Sequence, residues 1–270
     1  MALQASGAIS LSDIQTELGG ASPISLSEYY RGGAYTSSAN TSVPTSGAIS
    51  VSNLYGAENV FELVYSNISS SSTFAAPASA TSDTITIAWS GAYAQTGTIQ
   101  DPLVTGAGFV AVDDVSWEKT QSEDTANGRG HISWFNGAAA GKNPFTSVTI
   151  AGGAKHYGMS VWRKPAAVTA TSGTFWKADD NLDDTATRWG TSGQTLAILW
   201  ATMIPTATPG SSPCNLTTCT FAGASPDLIQ NPTGWGMACK ILDTSVAPSP
   251  FINSNNVSSV VNWRTSYIKV

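Results

Sequence analysis

Charge is what this sequence has least of. Only 11% of its 270 residues are Asp, Glu, Lys or Arg, where a typical globular domain carries about 25%. The net charge is −6, and the longest basic run is the pair Arg163-Lys164. Gripping a phosphate backbone needs cations gathered on one face, so nucleic acid is not an expected partner. Histidine is almost missing too. The two present, His131 and His156, belong to no metalloprotease pattern and have no Gly-x-Ser-x-Gly companion. His131 follows Asn127-Gly128-Arg129-Gly130 and reads as a loop histidine at a turn feeding a strand. No catalytic role is expected for either, and no enzyme.

Three cysteines are too few for a disulfide framework. Cys214 and Cys219 flank Asn-Leu-Thr-Thr; they either staple that loop in an oxidising medium, or all three cysteines are reduced thiols. Long apolar runs are absent as well. The most apolar segment, 196–204, suits a buried strand and falls well short of the roughly 20 residues of a membrane-spanning helix. Membrane insertion is therefore not expected. Without a charged start followed by an apolar stretch, neither is a secretory signal.

What fills residues 58–270 is alternation. Apolar residues recur with period two at 61–65, 84–89, 108–117, 130–135, 145–150, 157–163, 195–203, 234–242 and 260–270, between Ser-Gly, Asn-Gly, Gly-Gly, Asn-Pro and Pro-Gly turns. No helical periodicity of useful length and no heptad pattern lies among them. Many short strands without βα alternation predict a mainly β domain, an antiparallel β-sandwich resembling a jelly roll. The last run, 260–270, reads as a strand built into a sheet, because a free apolar edge invites aggregation. Segments 69–72 and 75–82 read as low-complexity loop. Of nine tryptophans, Trp89, Trp162 and Trp200 sit inside alternating runs and are most simply core.

Residues 1–57 are different. One phrase occurs there three times: Ile9-Ser10-Leu11-Ser12-Asp13-Ile14, Ile24-Ser25-Leu26-Ser27-Glu28-Tyr29 and Ile49-Ser50-Val51-Ser52-Asn53-Leu54. Ser-Gly-Ala leads into the first and third copies. Ile-Ser-Leu/Val alternates as a short strand does, and the next Ser, followed by an acid or amide, suits a helix N-cap. Ser12 has the strongest such signal, with Gln15 three residues on to close a capping box and Gly19-Gly20 to end the helix. The segment thus predicts a compact head of three strand-to-helical-turn units, in which each unit completes its core against the others or against a partner.

Those phrases, with Gly19-Gly20, Tyr29-Tyr30-Arg31-Gly32-Gly33 and Leu54-Tyr55-Gly56-Ala57, resemble the leader of virion structural proteins of tailed bacteriophages, cyanophages above all. The resemblance covers residues 2–57 and implies a virion component, on the tail rather than the capsid. It also implies a docking head at 1–57 followed by an outward β domain at 58–270. The docking residues would be Ile9, Leu11, Ile24, Leu26, Tyr29, Tyr30, Ile49, Val51, Leu54 and Tyr55. Other virion proteins are then the partners, and any homo-oligomer forms through β surfaces or the head. Assembly in the cytosol would favour reduced thiols. Two functions follow: a tail fibre or receptor-binding protein contacting host-surface glycan or protein, or a purely structural baseplate, tail or capsid-decorating subunit. A virion-associated glycan hydrolase ranks below both.

Two constellations remain. Asp179, Asn181 and Asp183 have the 1-3-5 oxygen spacing of a calcium loop, but Asp184 and Gly190 stand where an EF-hand has Gly and Glu. The segment is a Ca2+ candidate or a solvated acidic loop, and no other cofactor is expected; Asp113-Asp114 is a weaker candidate of the same kind. Adjacent Asp residues are poorly placed to divide acid and base roles across a glycosidic bond, and nothing pairs Glu118 with Glu123. Trp189 and Trp235 have glycine neighbours, and present a flat face to a sugar ring or plug the end of the sandwich.

Overall fold

The computed structural model describes residues 3–20, 22–33, 35–37, 40–58, 60–94, 106–121, 124–145, 153–164, 171–178, 195–204, 220–221, 224–230, 235–242, 250–251 and 260–269, with side chains for part of these. Among the described residues, 1–57 hold one helix, α1 (Leu11–Leu18), and two single 3₁₀ turns, Leu26–Tyr29 and Val51–Leu54. The described residues beyond them are mainly β. The strands are β1 (Glu62–Ser69), β2 (Thr84–Ala94), β3 (Val110–Gln121), β4 (Asp124–Asn136), β5 (Gly153–Arg163), β6 (Thr171–Ala178), β7 (Thr195–Ile204), β8 (Thr220–Phe221), β9 (Leu228–Gln230), β10 (Trp235–Leu242), β11 (Pro250–Phe251) and β12 (Val260–Lys269).

All described pairings are antiparallel. One five-stranded sheet has the order β1-β5-β2-β4-β3, a second the order β6-β12-β7-β10-β9, and β11 pairs with β8. The apolar run at 260–269 lies between β6 and β7, so both its edges are hydrogen-bonded. Arg163 fixes the start of the first sheet: its guanidinium reaches Glu62 at 2.6 Å and Asp83 at 3.3 Å, tying β5 to β1 and to the entry of β2.

The first sheet is covered on both faces. On one face Ile85, Ile87, Trp89, Ile132 and Trp162 share a single cluster with Leu196, Leu228, Met237, Cys239 and Ile268 of the second sheet. On the other, Ala88, Tyr157, Met159 and Val161 pack under Ala76, Ala80, Phe109, Ala139 and Phe145 from the connections. The stretch 75–82 is therefore packed rather than loose. Its Ala76 N–H donates to Lys142 O at 2.9 Å, and Ala80 O accepts from Ala139 N–H at 3.0 Å. Small side chains make this possible, since alanine leaves room for two backbones to approach closely over a sheet.

Several expectations need correction. His131 is not in a turn: the segment 124–136 is continuous strand, and His131 is buried within β4, because pairing with both β2 and β3 satisfies a backbone that its glycines alone would have bent. Phe145 lies outside any strand and packs at 4.8 Å, ring to ring, on Phe74; residues 146–150 are outside the described residues. β6, in a Thr/Ser/Gly-rich stretch, carried no clear alternation.

Candidate functional site

The head's three phrases fold alike, two residues earlier than the strand-then-cap reading holds. Ser10, Ser25 and Ser50 take the extended N-cap conformation, and no strand precedes them. The Ser10 hydroxyl accepts from Asp13 N–H at 3.1 Å, while the Asp13 carboxylate accepts from the Ser10 hydroxyl at 2.7 Å and from its amide at 2.8 Å. Asn53 Oδ1 does the same for Ser50, at 2.8 and 2.9 Å. Hydrogen bonds from Ser10 hold the Asp13 carboxyl below its ordinary pKa. In the first and third copies the acid or amide three residues after the first Ser, not after the second, completes a capping box; in the second the Ser25 hydroxyl accepts from Ser27 N–H at 3.3 Å.

This shift explains the rest of the phrase. Counting from the cap, the last residue of each copy is the fourth of its turn: Ile14, Tyr29 and Leu54, each fully buried. The leading Ile9, Ile24 and Ile49 pack against the same cluster, the arrangement of a hydrophobic staple. With Leu3, Leu18, Val43 and Ala57 these form one core belonging to the head. The units complete their core against one another.

The next residue in each copy reaches the following unit. Gln15 Nε2 donates to Gly20 O at 3.1 Å, in the lead-in to the second phrase. The Tyr30 hydroxyl donates to Gly47 O, in the lead-in to the third. The Tyr55 hydroxyl donates to Gly7 O at 2.5 Å, in the lead-in to the first. The ties run one to two, two to three and three to one, so the head is a closed ring. Gly7 and Gly47 have φ of +99° and +85°, which only glycine adopts without strain. Leu3 N–H donates to Ala57 O at 2.9 Å and Gly56 N–H to Gln4 O at 3.2 Å, so chain entry and exit lie together. Asn40 joins head to β region: its side chain accepts from Glu58 N–H and donates to Glu58 O, both at 2.9 Å.

No protein-family model, no characterised protein and no solved structure matches the chain.

Of the ten residues assigned to docking, Tyr29 and Leu54 are internal and unavailable to a partner. Ile9, Ile24, Leu26 and Ile49 are largely engaged in the head core. Leu11 is 43% exposed, and Val51, Tyr30 and Tyr55 are half-buried. The outward surface of the ring includes the serines Ser12, Ser27 and Ser52, all exposed, flanked by those side chains.

In the β region, Trp89 and Trp162 are core, as their alternating runs imply. Trp89 Nε1 donates at 2.6 Å to Gln230 Oε1 across the two sheets. Gln230 Nε2 donates in turn to Asn67 O at 2.9 Å and Met159 O at 3.3 Å. This buried amide satisfies groups on β1, β2 and β5 at once, and nothing in the sequence marks it. His156 lies on β5, its Nε2 buried, and burial lowers its pKa. Among the described residues, no group of three His, Cys, Asp or Glu is gathered to hold a metal, and no helix is long and apolar enough to cross a membrane.

Asp179, Asn181, Asp183, Trp189, Cys214 and Cys219 lie outside the described residues. Trp235 opens β10 opposite Thr202, and Asp113 and Asp114 lie on β3 opposite Ile132 and His131; their side chains are outside the described residues. Trp200 sits on β7 opposite Met237, again with its side chain undescribed.

Proposed function

We propose that the protein is a structural component of a bacteriophage particle, attached to the tail through residues 1–57 and presenting residues 58–270 outward for host attachment. The observation that carries this reading is the head: three copies of a phrase resembling phage leader segments, closed into a ring with its own core and with chain entry and exit side by side. A unit built this way can be held by a partner while the β region behind it varies. The β region is read as a two-layer sandwich, because one core cluster takes residues from both five-stranded sheets. Its wiring differs from the jelly roll's, each sheet drawing on one half of the chain. A charge-poor, hydroxyl-rich composition suits a surface recognising glycan or protein through hydrogen bonds and aromatic contact, with Trp189 and Trp235 as the contact residues.

Deletion of residues 1–57 is expected to abolish incorporation into particles, read by immunogold labelling of assembled phage. Full-length protein preincubated with host cells is expected to block particle adsorption. Normal incorporation without the head refutes the docking role. Incorporation that needs the head, together with unimpeded adsorption, identifies a purely structural subunit instead.

A further inference from the structure

The two five-stranded sheets carry the same wiring. Numbered within its own sheet, each runs first, fifth, second, fourth, third: β1-β5-β2-β4-β3 and β6-β12-β7-β10-β9. Shared wiring alone could be two uses of a favoured motif, but aligning the two central strands on their similar sequences brings inward-facing residues of both sheets into the same rows. Ile85 stands opposite Trp162 and Asn136; Leu196 stands opposite Ile268 and Ile241. Four residues on, Trp89 stands opposite Gly158 and Ile132, and Trp200 opposite Arg264 and Met237. The sequence follows: Thr84-Ile85-Thr86-Ile87-Ala88-Trp89 matches Thr195-Leu196-Ala197-Ile198-Leu199-Trp200, and Ser160 and Arg163 match Ser266 and Lys269.

Several equivalent positions also do equivalent work, although Leu228 is buried in the shared cluster and its counterpart Val110 is 61% exposed. Ile85 and Leu196, Ile132 and Met237, and Trp162 and Ile268 are all buried in the cluster shared by the sheets. The first strand of each sheet has a register shift against the fifth, though at different rows: opposite Val161/Trp162 in one sheet and opposite Thr265/Ser266, the counterparts of Met159/Ser160, in the other. The connection after the second strand touches that after the fourth in both halves: Gly106 N–H donates to Pro144 O at 3.3 Å, and Phe221 pairs with Pro250. Between sheets, β3 lies against β6, and β1 against β9. Third strand against first, in both directions, is the reciprocity of an isologous two-fold interface.

We infer that residues 61–164 and 171–269 are two copies of one five-stranded unit, packed face to face about an approximate two-fold axis along the strands. The inter-sheet core is a dimer interface fused into one chain. Such an axis brings corresponding strand ends to the same end of the domain, so a partner gripping one half there meets an equivalent surface beside it. This inference is independent of the virion reading.

Equivalence pairs Asn67 with Trp176, and Ile229 with Ala111. In full-length protein with its cysteines replaced by serine or alanine, Asn67→Cys/Ile229→Cys probes β1 against β9, beside the observed Asn67–Gln230 hydrogen bond. Trp176→Cys/Ala111→Cys probes the two-fold counterpart, with Lys177→Cys replacing Trp176→Cys if that variant does not fold. A short bis-maleimide is expected to link both pairs within one chain, read as faster gel migration. It should leave the control pair Asn67→Cys/Ala111→Cys, at opposite edges of one sheet, unlinked. Linking of the first pair without the second overturns the inference, as does linking of neither or of the control.

Discussion

Gly158 shows how much one missing side chain can determine. The Trp89 indole lies flat over it, so that an added Cβ would overlap the ring at Nε1 and its neighbours. The ring cannot slide away, because Nε1 is tethered to Gln230 and the surrounding cluster is closed. Gly158→Ala is therefore expected to cost about 3 kcal/mol, the upper end for overpacking a core, measured as a lower urea midpoint with unchanged slope. In a Trp89→Leu background the same change should cost far less, since the clash is with the indole. Equal costs in both backgrounds would place the strain elsewhere. Trp89 was legible as core from its alternating run. Gly158 and Gln230 were not, because their importance lies in contacts across 69 and 141 positions of the sequence, and period-two patterning carries no information about which residues face each other.

The head's turns are a case where the element was legible and its boundary was not. Both serines of each phrase are competent caps, and local propensity does not choose between them. Tertiary structure does: starting at the first Ser puts Ile14, Tyr29 and Leu54 into one core, whereas a start two residues later would rotate them by about 200° at 3.6 residues per turn. Substitution separates the alternatives. Ser10→Ala removes the acceptor of the Asp13 amide and the hydroxyl donor to its carboxylate, and should destabilise the head by about 1 kcal/mol. Ser12→Ala lies in the first turn, exposed, and should be neutral, Ala being the better helix former. Thermal melts of the two variants read the difference; a larger loss from Ser12→Ala would restore the later start. The ring of ties from Gln15, Tyr30 and Tyr55 was equally invisible, since it joins residues up to 48 positions apart, although each occupies the same place in its phrase.

At the scale of the molecule, head and β region differ in how they resist unfolding. The head buries its own small core and joins its neighbour through the Asn40–Glu58 hydrogen bonds. A segment near 60 residues buries only about 60% of its unfolded surface and is marginally stable for that reason. The two sheets instead share one apolar cluster, so neither half can open without exposing the other's core. Cooperative loss of both sheets together follows, as in single domains. Calorimetry of the full chain should show two transitions: a small early one for the head and a large later one for the sheets. Ser10→Ala should move only the first, and Gly158→Ala only the second. The size of the second is diagnostic, because its calorimetric enthalpy should equal its van't Hoff enthalpy if the sheets unfold as a unit. A calorimetric value near twice the van't Hoff value would mean that the sheets melt as two independent bodies, and that the common core contributes little to holding them together.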